Sequence, residues 1–189
     1  EKSYSSVDPR FGVNYQLSDD VATYISYATG YRAGGFASRP IVAPVGQFDK
    51  EKVETLEAGF KSEWFGKQLR ANAAVFTSRY DDMQISVLEG GFFSIANAGQ
   101  ARISGAELEL TARVQNVELS ASAGYLDAQF RSVTDEAVAA GILEQNELPM
   151  APEWTYNFGA QYDWSLGTAG NLFARADYAY VDDRYTFAN

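Results

Sequence analysis

The chain has 189 residues, a formal net charge of −10, and neither cysteine nor histidine. Those absences exclude disulfide frameworks, thiol chemistry, Ser-His-Asp and Cys-His arrangements, the H-E-x-x-H motif and most zinc sites, and the acidic balance argues against a nucleic-acid partner, which needs a basic face. No apolar run approaches the roughly 18 residues of a membrane helix, but membrane β-strands stay open, since alternating residues average to near-neutral hydropathy.

Period-two alternation predicts eight strands. The first sets Phe11, Val13, Tyr15 and Leu17 against Arg10, Gly12, Asn14 and Gln16. The second sets Val21, Thr23, Ile25, Tyr27 and Tyr31 against Ala22, Ser26, Ala28 and Gly30. In the third, Leu56, Ala58, Phe60 and Trp64 oppose Glu57, Gly59, Lys61 and Glu63. The fourth places Leu69, Ala71, Ala73 and Val75 against Arg70 and Asn72, and its far end from Phe76 to Tyr80 reads either way. The fifth has Ala106, Leu108, Leu110 and Val114 against Glu107, Glu109, Thr111 and Arg113; the sixth has Val117, Leu119, Ala121 and Tyr125 against Glu118, Ser120, Ser122 and Gly124.

The seventh strand, EWTYNFGAQYDWS from Glu153 to Ser165, is the most regular. Its apolar parity is Trp154, Tyr156, Phe158, Ala160, Tyr162 and Trp164, so a tryptophan stands at each end. Ten residues of strand span roughly 33 Å; tilted about 45°, they rise roughly 23 Å, close to the apolar band of an outer-membrane barrel. Indoles favour the water–lipid boundary. Taken alone, this strand fits the core of a soluble sandwich as well. The last strand places Leu172, Ala174, Ala176, Tyr178 and Tyr180 against Arg175 and Asp177.

The connections sort into two classes. Short turns at residues 18–20, 65–68, 115–116 and 166–170 carry Gly, Asn or Asp chemistry suited to hairpins. Long ones run from about Arg32 to Lys52, Leu88 to Arg102 and Arg131 to Ala151. Short on one side and long on the other is the habit of outer-membrane barrels, whereas Greek-key crossovers mix lengths at both ends.

Glu57, Lys61, Glu63, Glu107, Glu109, Arg113, Asp163, Arg175 and Asp177 share the polar parity and suit a wet lumen. They are expected to pair with neighbouring strands or whatever fills the lumen, and carry no individual assignment. The apolar parity ends in aromatics: Trp64 and Trp164 beside the short turns, Trp154, Tyr27, Tyr125 and Tyr178 toward the long loops. These six are the candidate membrane-interface girdles. The glycines of ATGYRAGGF match neither Walker nor Rossmann spacing, and the Asp19-Asp20, Asp81-Asp82 and Asp182-Asp183 pairs sit where solvated turns or strand ends are expected. With short turns in the periplasm, both chain ends fall outside, so an internal run of strands from a larger barrel is expected.

Several segments carry a family likeness: FGVNYQLSDDVATYISYATGYRAGGF, VETLEAGFKSEWFGKQLRANAAVF, IANAGQARISGAELELTA, and GYLDAQF followed by LPMAPEWTYNFGAQY. In this order they resemble TonB-dependent outer-membrane receptors of the iron-complex type, across nearly the whole chain. The resemblance implies an all-β, antiparallel up-and-down transmembrane barrel of 22 strands with a plugged lumen. Residues 1–189 would be roughly its twelfth to nineteenth strands, without the plug or closing strands.

The implied function is TonB-driven uptake of a scarce chelate, foremost a ferric siderophore, in the bacterial outer membrane, with no enzyme activity and no cofactor. Implied partners are outer-membrane lipid, the TonB complex through the N-terminal region, the iron–siderophore and the remaining strands of the barrel. Binding needs aromatic faces and a few charges converging above the plug. Tyr31, Arg32, Phe36 and Arg39 in the first long loop and Phe92 and Phe93 in the second are the candidates, Arg32 and Arg39 because ferric siderophores are often anionic. The alternative role of the first four is to fold their loop onto the barrel, and that of Phe92 and Phe93 is to cap a strand end. Two other classes remain: a self-contained small structural or adhesion barrel, and a soluble β-sandwich binding module with its tryptophans in one core.

Overall fold

Each predicted short turn joins two neighbouring strands in the computed structural model, which describes residues 3–36, 46–89 and 92–188. The turn at 19–20 links β1 (Arg10–Ser18) to β2 (Val21–Arg32), and 65–68 links β5 (Glu51–Trp64) to β6 (Leu69–Asp81). Residues 115–116 link β9 (Gly99–Val114) to β10 (Val117–Val133), and 166–170 link β11 (Trp154–Ser165) to β12 (Asn171–Val181). In the 65–68 turn Phe65, Gly66 and Lys67 all adopt positive φ, of 55°, 67° and 69°. Gly66 takes that geometry without strain.

The long connections carry small elements of their own. Short strands β3 (Gly35–Phe36) and β4 (Gln47–Phe48) pair within the first, a hairpin of β7 (Gln84–Glu89) and β8 (Phe92–Asn97) fills the second, and α1 (Asp135–Ala139) lies in the third. The eight long strands form one antiparallel sheet in the order β1-β2-β5-β6-β9-β10-β11-β12. It is open, with β1 and β12 as its edges. That rules out a closed eight-stranded barrel. Among the described residues no helix is long and apolar enough to cross a membrane.

The sequence reading runs the second connection from Leu88 to Arg102, but β9 already begins at Gly99 and the β7–β8 hairpin starts at Gln84. β5 likewise begins at Glu51, five residues ahead of the predicted Leu56. In both strands backbone pairing continues where the apolar alternation stops: Lys52 and Glu54, and Gln100, Arg102 and Ser104, take the apolar-face positions. Hydropathy marks where the apolar band ends, not where the ladder does.

Among the described residues no second layer covers the apolar face of the large sheet, and the polar face is covered at its long-loop end. Trp64, Trp154 and Trp164 are 47%, 37% and 42% exposed, which overturns the sandwich with a shared tryptophan core. The apolar core lies where the long loops meet the ends of β9 and β10. Ile85 and Val87 from β7, Ala98 and Ala101, Phe130, Ala137 of α1, Ile142, Leu148 and Ala188 are all buried there. Thr134 caps α1 by accepting from the Ala137 N–H at 3.2 Å, and its hydroxyl donates to the Asn97 carbonyl at 2.9 Å, tying helix to hairpin.

Candidate functional site

Because strand side chains alternate, register alone decides which residues share a face. One unbroken row runs Val13, Ile25, Ala58, Val75, Ala106, Tyr125 and Trp154 across seven strands. The face it marks is apolar and exposed, with Phe11, Leu56, Phe60, Leu108, Leu119, Phe158 and Leu172 all on it. Rings gather at both ends. Tyr125 and Trp154 lie 4.8 Å apart, Trp154 stacks on Tyr156 at 5.7 Å, and Tyr156 on Tyr180 at 5.9 Å. Tyr178 faces Phe158 at 6.5 Å one step lower, while Tyr27 stands further along on β2. Beside the short turns, Trp164 packs on Tyr162 at 4.5 Å. There the Trp64 indole N–H donates to Ser62 Oγ at 2.9 Å, and Ser62 Oγ donates to the Ala71 carbonyl at 2.7 Å. Sequence reasoning left Tyr156, Tyr162 and Tyr180 out of the rings; their shared parity was the available signal.

The other face is polar and mostly self-satisfied. Tyr24 donates to Glu57 at 2.7 Å, with Lys61 Nζ 5.9 Å from its ring centre. Glu63 holds Arg70 at 2.9 Å and Lys67 at 3.3 Å, Arg113 pairs with Glu118, and Arg175 Nη2 reaches Asp177 at 2.6 Å. Asn72 Nδ2 donates to Glu109 at 3.5 Å. Among the described residues no group of three His, Cys, Asp or Glu side chains is placed to hold a metal.

Above this face two amides stitch the loops together. Gln84 Nε2 donates to the Ala33 and Asp49 carbonyls at 3.0 and 2.9 Å, and its backbone N–H donates to Glu51 Oε2 at 2.6 Å. Asn97 Nδ2 donates to the Asp49 and Asp82 carbonyls, and the Asp49 N–H donates back to Asn97 Oδ1 at 2.6 Å. The described ends of the first loop, at Ala33 and Asp49, are therefore tied to the β7–β8 hairpin, a relation carried by no sequence motif. Tyr80 packs against the loop core on this side; burial first, and the Glu51 carboxylate second, push its phenol above its ordinary value.

The loop candidates are spread over this region. Tyr31 and Arg32 end β2 opposite Lys52 and Glu51. They point to opposite faces, Tyr31 sharing the parity of Tyr27 and Arg32 that of the polar face. Phe36 lies on β3, 54% exposed, opposite Gln47. Arg39 lies outside the described residues. Phe92 and Phe93 open β8 opposite Glu89 and Leu88, and their side chains also fall outside the described part. No hydrogen bond, ion pair or ring contact joins Tyr31, Arg32 and Phe36 to one another among the described residues.

The family described as "TonB dependent receptor-like, beta-barrel" matches residues 1–189. A protein of Acinetobacter baumannii named "Probable TonB-dependent siderophore receptor PiuA" is 26% identical over 158 residues, covering 75% of this chain and 20% of the relative. The ferrichrome outer membrane transporter/phage receptor of Escherichia coli is 28% identical over 167 residues, covering 85% of this chain and 21% of the relative. The chain thus spans about a fifth of the length of these curated relatives. The crystal structure of the ferric yersiniabactin uptake receptor FyuA from Yersinia pestis superposes with a TM-score of 0.76 at 23% identity, over 95% of this chain and 26% of that one. That likeness is one of fold.

Proposed function

Because the chain belongs to the TonB-dependent receptor-like β-barrel family, we propose that it forms part of the wall of a receptor that takes up a ferric siderophore, driven through TonB. Members of the family lie in the outer membrane of Gram-negative bacteria. The observation that carries the reading is one open sheet with an exposed apolar face and a charged, internally paired polar face. Each large apolar side chain left in water forgoes roughly 1.5–3 kcal/mol, so hydrocarbon is the solvent that suits this face. Trp64, Trp154, Trp164, Tyr27, Tyr125 and Tyr178 sit at its two boundaries with water.

The eight long strands are roughly the twelfth to nineteenth of 22. The free edges of β1 and β12 pair with the remaining strands, since lipid tolerates no unpaired strand edge. The polar face lines the lumen and meets the plug. Capture and passage, rather than catalysis, is the chemistry these residues support. Arg32 and Arg39, with Phe36, Phe92 and Phe93, bind an anionic ferric chelate from above. The printed names of the relatives, siderophore, ferrichrome and ferric yersiniabactin receptors, support that ligand class.

The test is uptake of radiolabelled ferric siderophores by cells with and without the receptor gene. The reading expects loss of uptake for at least one siderophore on deletion, restoration by the intact gene, and abolition when the proton-motive force is dissipated. Uptake across the panel that is indifferent to deletion refutes it.

A further inference from the structure

Beyond the aromatic row, on the long-loop side, the apolar face changes character within two register steps. The row Tyr27, Leu56, Thr77, Ser104 and Asp127 is mixed, and the next row is Thr29, Glu54, Arg79, Arg102 and Gln129. Arg79 and Arg102 are thus directly opposite one another on one face. Cross-strand neighbours have Cβ atoms about 4.5–5.5 Å apart, and like charges there repel. No partner within the described chain relieves them. Arg79 makes no hydrogen bond or ion pair among the described residues, not even with Glu54, its opposite neighbour on β5.

Arg102 is held ready instead of neutralised. Its Nε donates to Thr77 Oγ1 and Ser104 Oγ at 3.2 Å each, and those two hydroxyls share a 2.9 Å hydrogen bond. The grip is on Nε, and among the described residues the terminal nitrogens are uncommitted. Arg131, in the bulge that follows Phe130, joins the pair in a cleft of about 340 Å³ that Glu54, Asp81 and Gln100 also line. One oxygen of Asp81 is taken by Gln100 Nε2 at 2.9 Å.

We propose that this cleft binds the phosphorylated sugar headgroup of an outer-leaflet glycolipid, its phosphate held by Arg79, Arg102 and Arg131. Guanidinium forks match phosphate geometry, and Glu54 and Asp81 accept from sugar hydroxyls. Three cations beside two carboxylates suit a phosphosugar better than a bare anion. The position agrees, since the cleft lies just past the aromatic row, where hydrocarbon gives way to headgroups. It is on the long-loop side, which faces outward. Acyl chains descending from the cleft run over Leu56, Val75 and Leu108, all exposed on the same face. This inference rests on the outer-membrane placement and is independent of which chelate is carried.

Native mass spectrometry of the whole receptor in detergent tests it, with diphosphorylated lipid A, the same lipid after dephosphorylation, and inorganic phosphate as probes. The wild-type receptor is expected to retain the phosphorylated lipid about tenfold more tightly than the dephosphorylated one. R79A/R102A should abolish that preference, and R79K/R102K should keep part of it. R131Q, in the bulge, should lower the preference even if the double variant fails to fold. Equal retention of both lipids by the wild type would mean acyl-chain contact alone and overturn the proposal, as would a preference surviving in R79A/R102A or R131Q. Displacement of the lipid by equimolar inorganic phosphate would overturn it too, marking a small-anion site. Siderophore uptake should be unchanged in R79A/R102A, which separates this result from a failure of the transport reading.

Discussion

The indole of Trp154 lies 4.8 Å, centre to centre, from the ring of Tyr125, its direct opposite across the β10–β11 pair, with the two planes tilted by 48°. Tyr156 and Tyr180 extend the contact across the edge of the sheet. Rings packed side by side on an exposed face, not buried against a second layer, are what the proposed boundary between lipid and water calls for. At such a boundary the apolar edges of the rings lie in one phase and their polar atoms in the other.

That geometry makes the cost of a charge depend on height. Ala121 lies on the same face between the two aromatic rows, opposite Leu110 and Phe158. Ala121→Arg should cost about 2–4 kcal/mol, whereas the charge of Trp154→Arg should cost about 0–1 kcal/mol. Ser122→Arg, one residue along on the polar face, carries no such lipid penalty. Denaturant unfolding of the receptor in phospholipid vesicles measures all three, and equal penalties at residues 121 and 122 would count against a lipid-facing surface.

The tryptophans supply a second readout. Trp154 and Trp164 are separated by roughly 33 Å of strand, so both cannot sit at the bilayer centre. In reconstituted receptor, fluorescence should be quenched more by lipids brominated near the headgroup than by lipids brominated at the chain ends. Strongest quenching from the chain ends would place the indoles in the middle of the bilayer and sink the two-row arrangement.

Most of the sheet was readable from period two, because Ile25, Ala58, Val75 and Ala106 fall on one face in register as well as in parity. The end of β6 was not, and Phe76 shows why. It is an aromatic on the polar face, and its direct opposite is Gly105, where an added Cβ would lie 2.7 Å from the Phe76 ring and 2.6 Å from the Tyr125 carbonyl. Tyr24 lies across Gly59 in the same way. A ring covering a glycine on the neighbouring strand is a long-range pairing, invisible to alternation within one strand. The β7–β8 hairpin had its signal in alternating Ile85 and Val87, but their burial depends on Phe130 and Ile142 from distant segments. Of the ligand candidates, Arg32 and Tyr31 show the limit most plainly: adjacent in sequence, they serve opposite faces.

Gln84 offers a test of the loop unit. Its amide nitrogen serves two carbonyls of the first loop, while Oε1 is buried without a partner among the described residues. Gln84→Ala leaves the Ala33 carbonyl without this donor, at about 1–3 kcal/mol for a buried group left unpaired, while the Asp49 carbonyl keeps Asn97 Nδ2. The loss should be local. Hydrogen exchange is expected to quicken in residues 84–97 and 46–50, with β10 and β11 unchanged. Unaltered exchange in both segments would show that the Gln84 amide is not what holds the hairpin to the first loop.

Tyr80 gives the loop core a pH dependence of definite sign. Burial, then the Glu51 carboxylate, raise its phenol above the ordinary value, so the folded loops retain the proton after the unfolded chain has released it. Between those two points the folded state binds more protons, and stability falls as pH rises. The contribution is complete below the unfolded phenol's value of about 10 and disappears as pH climbs through the folded one. Thermal unfolding of the receptor across an alkaline pH series should therefore steepen above roughly pH 10, and Tyr80→Phe should remove that part of the slope. An identical slope in the variant would assign the alkaline loss to other groups and leave Tyr80 with a packing role only.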